Sequence, residues 1–221
     1  FDIKKNPDSL IPASIYTSIY TRVMWLLQDE SFGLNLKQRA PTGTFRMMCL
    51  TIIHCANLEH ALRRATEFNN FCNSLTGLPS NNNHPITRNT DGSAEYRFPS
   101  SSELVDIGID GELISVAHCV AIWRRFSGWL IGKNIELLEV RFQGSKPDNT
   151  DYLEQLFKCT LSFNQSGNTF RFPATYLHSP LVHTEESLKD FLRNAPYHLL
   201  ASIEKDDTGV IAQMKRIVGN D

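Results

Sequence analysis

The dipeptide Asp91-Gly92 constrains the fold more than any other feature of the sequence. It lies between two strand-like segments in "ITRNTDGSAEYRF", and an Asp-Gly pair in that setting predicts a two-residue β-hairpin. A later segment, "CTLSFNQSGNTFRFP", predicts a second hairpin that turns around Ser166-Gly167-Asn168. Hairpins make neighbouring strands antiparallel, so the sequence does not predict a sheet built from repeated βαβ units.

Helical segments surround these strands. Residues 12–29 carry apolar side chains at helical spacing, namely Ile15, Ile19, Val23 and Leu26. Similar patterns predict helices over Thr44–Ile53 and Asp110–Leu130, and a helix that runs from a cap at Asn57 to Asn73. Two further helices are predicted to begin at the proline of "KPDNTDYLEQLF" and after a cap at Thr184. The segment "IELLEVRF" predicts a strand. We therefore expect an α+β domain, with a mostly antiparallel sheet built from hairpins and covered by several helices.

Composition excludes several classes of protein. The net charge of −2 is too close to neutral for nucleic-acid binding by bulk electrostatics. No run of about 18 apolar residues could span a bilayer. The five cysteines are odd in number and show no paired spacing, which indicates a reducing cytoplasm rather than a disulfide framework. We expect a cytoplasmic protein that does not enter a membrane.

The residues that could support catalysis or metal binding do not form a known motif. The chain has no nucleophile elbow, no phosphate-binding loop and no dinucleotide fingerprint. Cys49, His54, Cys55 and His60 lack the spacing of a zinc site, and the chain turns between them. Cysteines of this kind are usually small buried side chains. We expect no enzymatic activity, no cofactor and no metal.

Two basic doublets, Arg63-Arg64 and Arg124-Arg125, are typical of solvated helix faces. The helix that contains the second doublet is more informative. Val116, Val120, Trp123 and Ser127 share one face and predict a core stripe. The neighbouring face carries His118, Ile122, Arg125 and Trp129 at the same spacing. That face could line a ligand pocket, or it could be a half-buried face with an extended arginine.

The order of these elements, together with local patterns, resembles the N-terminal effector-binding domain of AraC/XylS-type bacterial transcription regulators, in the arabinose-binding-like subclass. The resemblance spans about residues 10–203. Its first part lies in "DESFGLNLKQRAPTGTFRMMCLTIIHCANLEHALRRATEF", on Phe32-Gly33-Leu34, Pro41-Thr42-Gly43, Asn57-Leu58 and Ala61-Leu62. Its second part is carried by Gly132, Val140, Phe142, Pro147, Tyr152, Phe163, Asn168, Phe170, Phe172 and Leu177 through Leu181.

The resemblance implies a domain organisation. Residues 1–203 would form the effector-binding and dimerisation domain. Residues 204–221 would be a linker and the start of the first helix of a helix-turn-helix domain that this sequence does not contain. DNA binding would then belong only to that absent C-terminal domain, and the partners of this chain would be a small-molecule effector and a second copy in a homodimer.

The resemblance fixes no set of ligand residues, so the candidates come from the patterns above. We expect a pocket between the helix of Arg46 and His54, the strand of Tyr96, and the helix of His118, Trp123 and Arg125. An arginine there would suit a carboxylate or an amino acid, because its planar fork binds a carboxylate through two hydrogen bonds. The alternative is an effector-independent dimerisation module whose interior is filled by side chains.

Overall fold

The computed structural model describes residues 12–30, 40–75, 85–98 and 109–201. In these ranges the chain forms six α-helices and a five-stranded sheet. The helices are α1 (Ala13–Leu27), α2 (Thr44–Ile52), α3 (Leu58–Leu75), α4 (Ile109–Ile131), α5 (Asp151–Phe157) and α6 (Glu185–Pro196). The strands are β1 (Ile86–Arg88), β2 (Ser93–Arg97), β3 (Glu139–Arg141), β4 (Thr160–Ser162) and β5 (Thr169–Pro173). A 3-10 helix, Ala174–His178, follows β5, and a π-helical turn, Tyr197–Ala201, follows α6.

The strand order is β1-β2-β5-β3-β4, and only the β3–β4 pair is parallel. The predicted α+β class with a mostly antiparallel sheet is therefore confirmed. Helix α5 connects the two parallel strands, as such a pair requires a crossover. The predicted linker and the helix after it, residues 204–221, lie outside the described residues, as does "SFGLNL".

The first predicted hairpin is present, but its loop is one residue longer than expected. The Asn89 amide donates to the Ser93 carbonyl at 2.9 Å, which leaves three residues, Thr90 to Gly92, in the loop. Gly92 has φ +81°, a left-handed conformation that costs glycine little. Such a loop is a common alternative to the two-residue turn, and the Asp91 carboxylate closes it by accepting from the Ser93 amide and hydroxyl.

The second predicted hairpin is wrong. Strands β4 and β5 follow each other in the sequence, but β3 lies between them in the sheet. Strand β3 pairs with β5 through Val140 opposite Phe170, and with β4 through Val140 opposite Leu161. Because both β4 and β5 are short and partly apolar, their sequences do not distinguish a direct pair from two strands that flank a third.

The two faces of the sheet differ in chemistry. Tyr96, Phe170 and Val140 lie in register across β2, β5 and β3 and are buried in the core. On the opposite face, Arg171 lies between Glu95 and Glu139, and its Nη1 is 3.3 Å from Glu139 Oε2. This alternation follows the period of two of a β-strand, so the apolar face packs against the helices and the other face carries ion pairs.

The ends of several helices lie where the capping residues of the sequence predict them. Asn57 Oδ1 accepts from the His60 amide at 3.0 Å, and Thr184 forms a capping box with Ser187, so both predicted caps are confirmed. Gly132 has φ +63° and ends α4, with the Lys133 amide donating to the Gly128 carbonyl. The short helix α5 begins at Asp151 rather than at Pro147, after a stretch of irregular chain.

Helix α2 has a cap that lies outside its own segment. Gly43 precedes the helix and supplies no side chain, and the Glu30 carboxylate accepts from the backbone amides of Gly43 and Phe45. A carboxylate at that position also interacts favourably with the positive end of the helix. Asp29 is buried and accepts from the Ala40 amide at 2.8 Å. Asp29 and Glu30 thus connect the end of α1 to the start of α2.

Candidate functional site

Helix α4 places three of the candidate residues, His118, Trp123 and Arg125, on the two faces that the sequence predicted. On the core face, Val116, Val120 and Ser127 are buried and Trp123 is half-buried. On the neighbouring face, the side chains are half-buried at all four positions, which are His118, Ile122, Arg125 and Trp129. The second face is therefore accessible enough to meet a ligand and enclosed enough to exclude part of the solvent.

Tyr96 and Trp123 are brought together. The Tyr96 ring centroid lies 5.7 Å from that of Trp123, 5.4 Å from Phe170 and 5.1 Å from Phe98. Burial raises the pKa of Tyr96 to about 12, although a hydrogen bond with the Thr66 side chain opposes the shift. The phenol is neutral at physiological pH. The rings are in direct contact, so the region between β2 and α4 is packed with aromatic side chains.

His118 and Arg125 lie two turns apart on the half-buried face of α4. Nε2 of His118 is 3.2 Å from the Tyr152 hydroxyl of α5. Burial lowers the pKa of His118, and the positive charge of Arg125 lowers it further. Arg125 Nη1 donates to the Leu199 carbonyl at 2.7 Å, which ties α4 to the C-terminal turn.

The other two candidates, Arg46 and His54, are exposed, and the contact the structure gives His54 lies on α6. Arg46 projects from α2. His54 Nε2 is 2.8 Å from Glu185 Oε1 at the start of α6, and both side chains are more than half exposed. His54 also lines an open surface depression of about 340 Å³, together with Cys55, Ala56, His60, Arg63, Arg64 and Glu67.

A second open depression of about 330 Å³ lies beside the edge strand β4. It is lined by Lys146, Thr150, Glu154, Lys158, Cys159, Leu161 and Phe163. Burial raises the pKa of Cys159 to about 11, so its thiol is protonated at neutral pH. Cys49 and Cys55 also have raised pKa values because of burial. These thiols therefore lack the thiolate character that a nucleophile needs.

All five cysteines are free thiols. Within the described ranges, no group of three or more His, Cys, Asp or Glu side chains is placed to hold a metal ion. In these ranges there is also no helix with the length and hydrophobicity needed to span a membrane.

Arg124 contradicts its sequence-based interpretation as part of a solvated doublet. It is buried, its Nε donates to the Ile135 carbonyl at 2.7 Å, and its Nη2 donates to Asn134 Oδ1 at 3.2 Å. It therefore fixes the segment that leads from α4 into β3. A buried guanidinium needs such acceptors, and nothing in the local sequence distinguishes it from its neighbour Arg125.

One feature of α4 was not predicted. The ring of Trp129 is stacked between His183, at 3.9 Å, and Phe191, at 4.1 Å. His183 immediately precedes the cap of α6, and burial lowers its pKa, which a hydrogen bond to the Trp129 backbone partly opposes. The helical spacing of Trp129 indicated its face, but its partners come from a segment more than 50 residues away.

Comparison with known families decides the identity. The family model described as the arabinose-binding domain of AraC transcription regulators, N-terminal, matches residues 2–181. The chain belongs to this family. It is an AraC-type N-terminal effector-binding domain, and such regulatory domains are not enzymes.

Among solved structures, this AraC-type domain is similar to the transcriptional regulator CdpR from Pseudomonas aeruginosa. The two share 15% sequence identity with a TM-score of 0.41, over 99% of this chain and 76% of that one. No curated protein matches the sequence.

Proposed function

We propose that this AraC-type domain senses a small anionic metabolite and transmits its presence to a C-terminal DNA-binding domain. The observation that carries the proposal is the family match over residues 2–181. Residues 1–203 would form the sensing and dimerisation domain, and residues 204–221 would begin the connection to the DNA-binding domain. Ligand binding changes the output only if the ligand binds two arrangements of the protein with different affinity.

The half-buried face of α4 supports an anionic ligand. Arg125 is charged at all physiological pH values, and His118 lies on the same face with a lowered pKa. Tyr96 and Trp123 supply apolar rings on the adjoining face, so a carboxylate with an apolar body suits this region. Arg46 and His54 are further candidates that contact the ligand in this proposal, because both side chains are accessible to it.

A thermal-shift screen over amino acids, carboxylates and sugars tests the proposal. A ligand at one hundred times its dissociation constant stabilises a protein by about 2.7 kcal/mol, which a melting curve resolves. We expect a carboxylate to raise the melting temperature, and Arg125→Ala to abolish that shift. Arg46→Ala tests the α2 contribution in the same way.

Arg193→Ala is the matched control, since Arg193 is an exposed arginine on α6 that pairs with Asp190 and is not among the candidate ligand residues. It should keep the full ligand-induced shift. If Arg125→Ala and Arg46→Ala both respond to the ligand like the parent, the proposed site is incorrect although the family membership stands.

A second candidate function is an effector-independent dimerisation module. The packed rings of Tyr96, Trp123, Phe98 and Phe170 favour it, because they fill the region where a cavity was expected. The two functions separate in one experiment. If the chain dimerises but no compound of the screen raises its melting temperature, it functions as a dimerisation module. If a compound raises the melting temperature, the chain functions as a ligand sensor.

A further inference from the structure

Helix α1 exposes the apolar side chains that its sequence pattern predicts for a buried face. Ile15, Ile19, Val23 and Leu26 recur along one side of the helix and are 40%, 49%, 38% and 64% exposed. Trp25 and Leu27, beside this stripe, are 57% and 46% exposed. The expectation that the pattern marks an amphipathic helix is met, but the apolar side does not face the domain.

The side of α1 that packs on the domain is the more polar one. Thr17 is the buried residue of the helix, and among the described residues no group hydrogen-bonds its hydroxyl. Tyr16 contacts Tyr197 edge to face at 6.3 Å. The helix therefore holds its place through Thr17 and the half-buried Tyr16, Tyr20 and Met24, and its large aliphatic side chains contribute little to the core of the same chain.

The exposed stripe has the size and chemistry of a protein interface. Four aliphatic side chains and the flanking Trp25 and Leu27 present an apolar patch of several hundred Å², which is as large as the largest patch on a typical monomer. Two such patches facing each other approach the roughly 1,000 Å² that a specific interface needs. Arg22 is the only charged residue in the helix, so the stripe offers almost no charge for an oppositely charged partner to recognise.

We infer that the α1 stripe, defined as Ile15, Ile19, Val23 and Leu26, is the surface through which two copies of this chain associate. A two-fold interface places the same patch on both subunits, and an uncharged aliphatic stripe is complementary to itself. The spacing from Ile19 through Val23 to Leu26 is four and then three residues, which is the spacing of a helix–helix seam. This assignment rests on the dimer included in the proposed function, and it names the surface that forms it.

Charge substitutions at Ile19 test the assignment, because this residue is near the middle of α1 and meets its own copy whichever way two helices cross at their centres. Chains of residues 1–221 that carry Ile19→Lys or Ile19→Glu are prepared separately and then mixed. Sedimentation equilibrium measures the mass over a range of concentrations, with the parent expected at twice the 25.1 kDa of one chain.

We expect each single variant to be a monomer, with a dimer dissociation constant raised at least about tenfold, since a charge buried without a partner is costly. The mixture should recover the dimer, because Lys and Glu then face each other. Leu75→Lys is the matched control: Leu75 is 69% exposed on α3 and should leave the dimer unchanged. Circular dichroism checks that every variant is folded.

The outcomes separate the interface from the rest of the proposal. Single variants that remain dimers, or a mixture that stays monomeric, would overturn the assignment of α1 while leaving dimerisation and effector binding intact. A monomeric parent would overturn both the assignment and the proposed dimer, and the thermal-shift screen would still test the sensor. If the parent is monomeric, a chain shortened to end at Ala201 tests whether residues 202–221 cover the α1 stripe. A dimer formed only by the shortened chain would show that residues 202–221, and not a second copy, occupy the stripe in the parent.

Discussion

Helices α1 and α6 pack against each other, yet they direct their apolar faces oppositely. Helix α6 buries Leu188, Phe191 and Ala195, which are 1%, 8% and 4% exposed. On helix α1, by contrast, Ile19 and Leu26 are 49% and 64% exposed. Both sequences have helical periodicity, so the pattern identifies an apolar face but does not say what covers it.

The two helices also differ in how they begin. Helix α6 starts with a capping box between Thr184 and Ser187, and the stack of His183, Trp129 and Phe191 packs beside that start. Helix α1 starts after Pro12, with no side-chain hydrogen bond to its first turn. Helix α6 is therefore part of the hydrophobic core, and α1 is a surface element. Four measurements test that distinction.

The largest effect is expected for Phe191→Ala. The substitution removes a buried ring that stacks on Trp129 and contacts Phe126, and a cavity of that size costs about 3 to 5 kcal/mol. The free energy of unfolding, measured by urea denaturation, should fall by that amount. A loss below about 1 kcal/mol would mean that α6 is no more central to the core than α1.

Thr184→Ala should have the next largest effect. It removes the side chain that accepts from the Ser187 amide at the start of α6, and the loss of such a cap costs about 1 kcal/mol. The control is Thr150→Ala at the start of α5, where the threonine hydroxyl donates to the exposed Glu154 carboxylate but accepts from no backbone amide of the helix. If both variants are equally destabilised in urea, the capping box does not distinguish α6 from other helices.

A smaller effect on stability is expected from the protonation of His183. Burial holds its pKa below the ordinary value of 6.5, so the unfolded chain binds this proton more readily than the folded chain. The stability that neutral His183 contributes is therefore fully present above about pH 6.5 and is lost as pH falls through the lower pKa of the folded state. On acidification, the free energy of unfolding of the parent should fall more than that of His183→Gln. If the free energies of unfolding of the two proteins fall equally with pH, the pKa of His183 is not lowered in the folded state.

The smallest effect is expected for Leu26→Ala. Its side chain is 64% exposed, so the unfolding free energy of the monomer, measured at a concentration where no dimer forms, should change by less than about 0.5 kcal/mol. Leu75→Ala on α3 is the matched control, since Leu75 is similarly exposed. A loss of 2 kcal/mol or more at Leu26 would show that α1 buries its apolar side against its own domain.

Much of the secondary structure was predictable because its signals are local. Thr184 and Asn57 cap helices with side chains that lie within three residues of the amides they bind, and Gly132 adopts the left-handed conformation that ends α4. The hairpin at Asp91-Gly92 is equally local. Only its loop length was missed, because both two-residue and three-residue loops favour a glycine with positive φ at their last position.

The candidate site was less predictable. The sequence identified the half-buried face of α4 that carries His118 and Arg125, because helical spacing fixes which side chains share a face. It did not identify the contact of His118 with Tyr152, nor the contact of Arg125 with the Leu199 carbonyl. These partners lie 34 and 74 residues away, and no periodic pattern connects such positions. Whether His54 and Arg46 meet a ligand stays a prediction.

Most helices, the first hairpin, the α+β class and the family could be predicted from the sequence, since each of these depends on periodicity, caps, turns and the order of motifs. The tertiary structure alone decided that β3 separates β4 from β5, that Arg124 is buried while Arg125 is half-buried, and that α1 turns Ile19 and Leu26 outward. The physical reason is that burial depends on what packs against a surface. Elements far apart in the chain supply that packing, and local residue patterns contain no record of them.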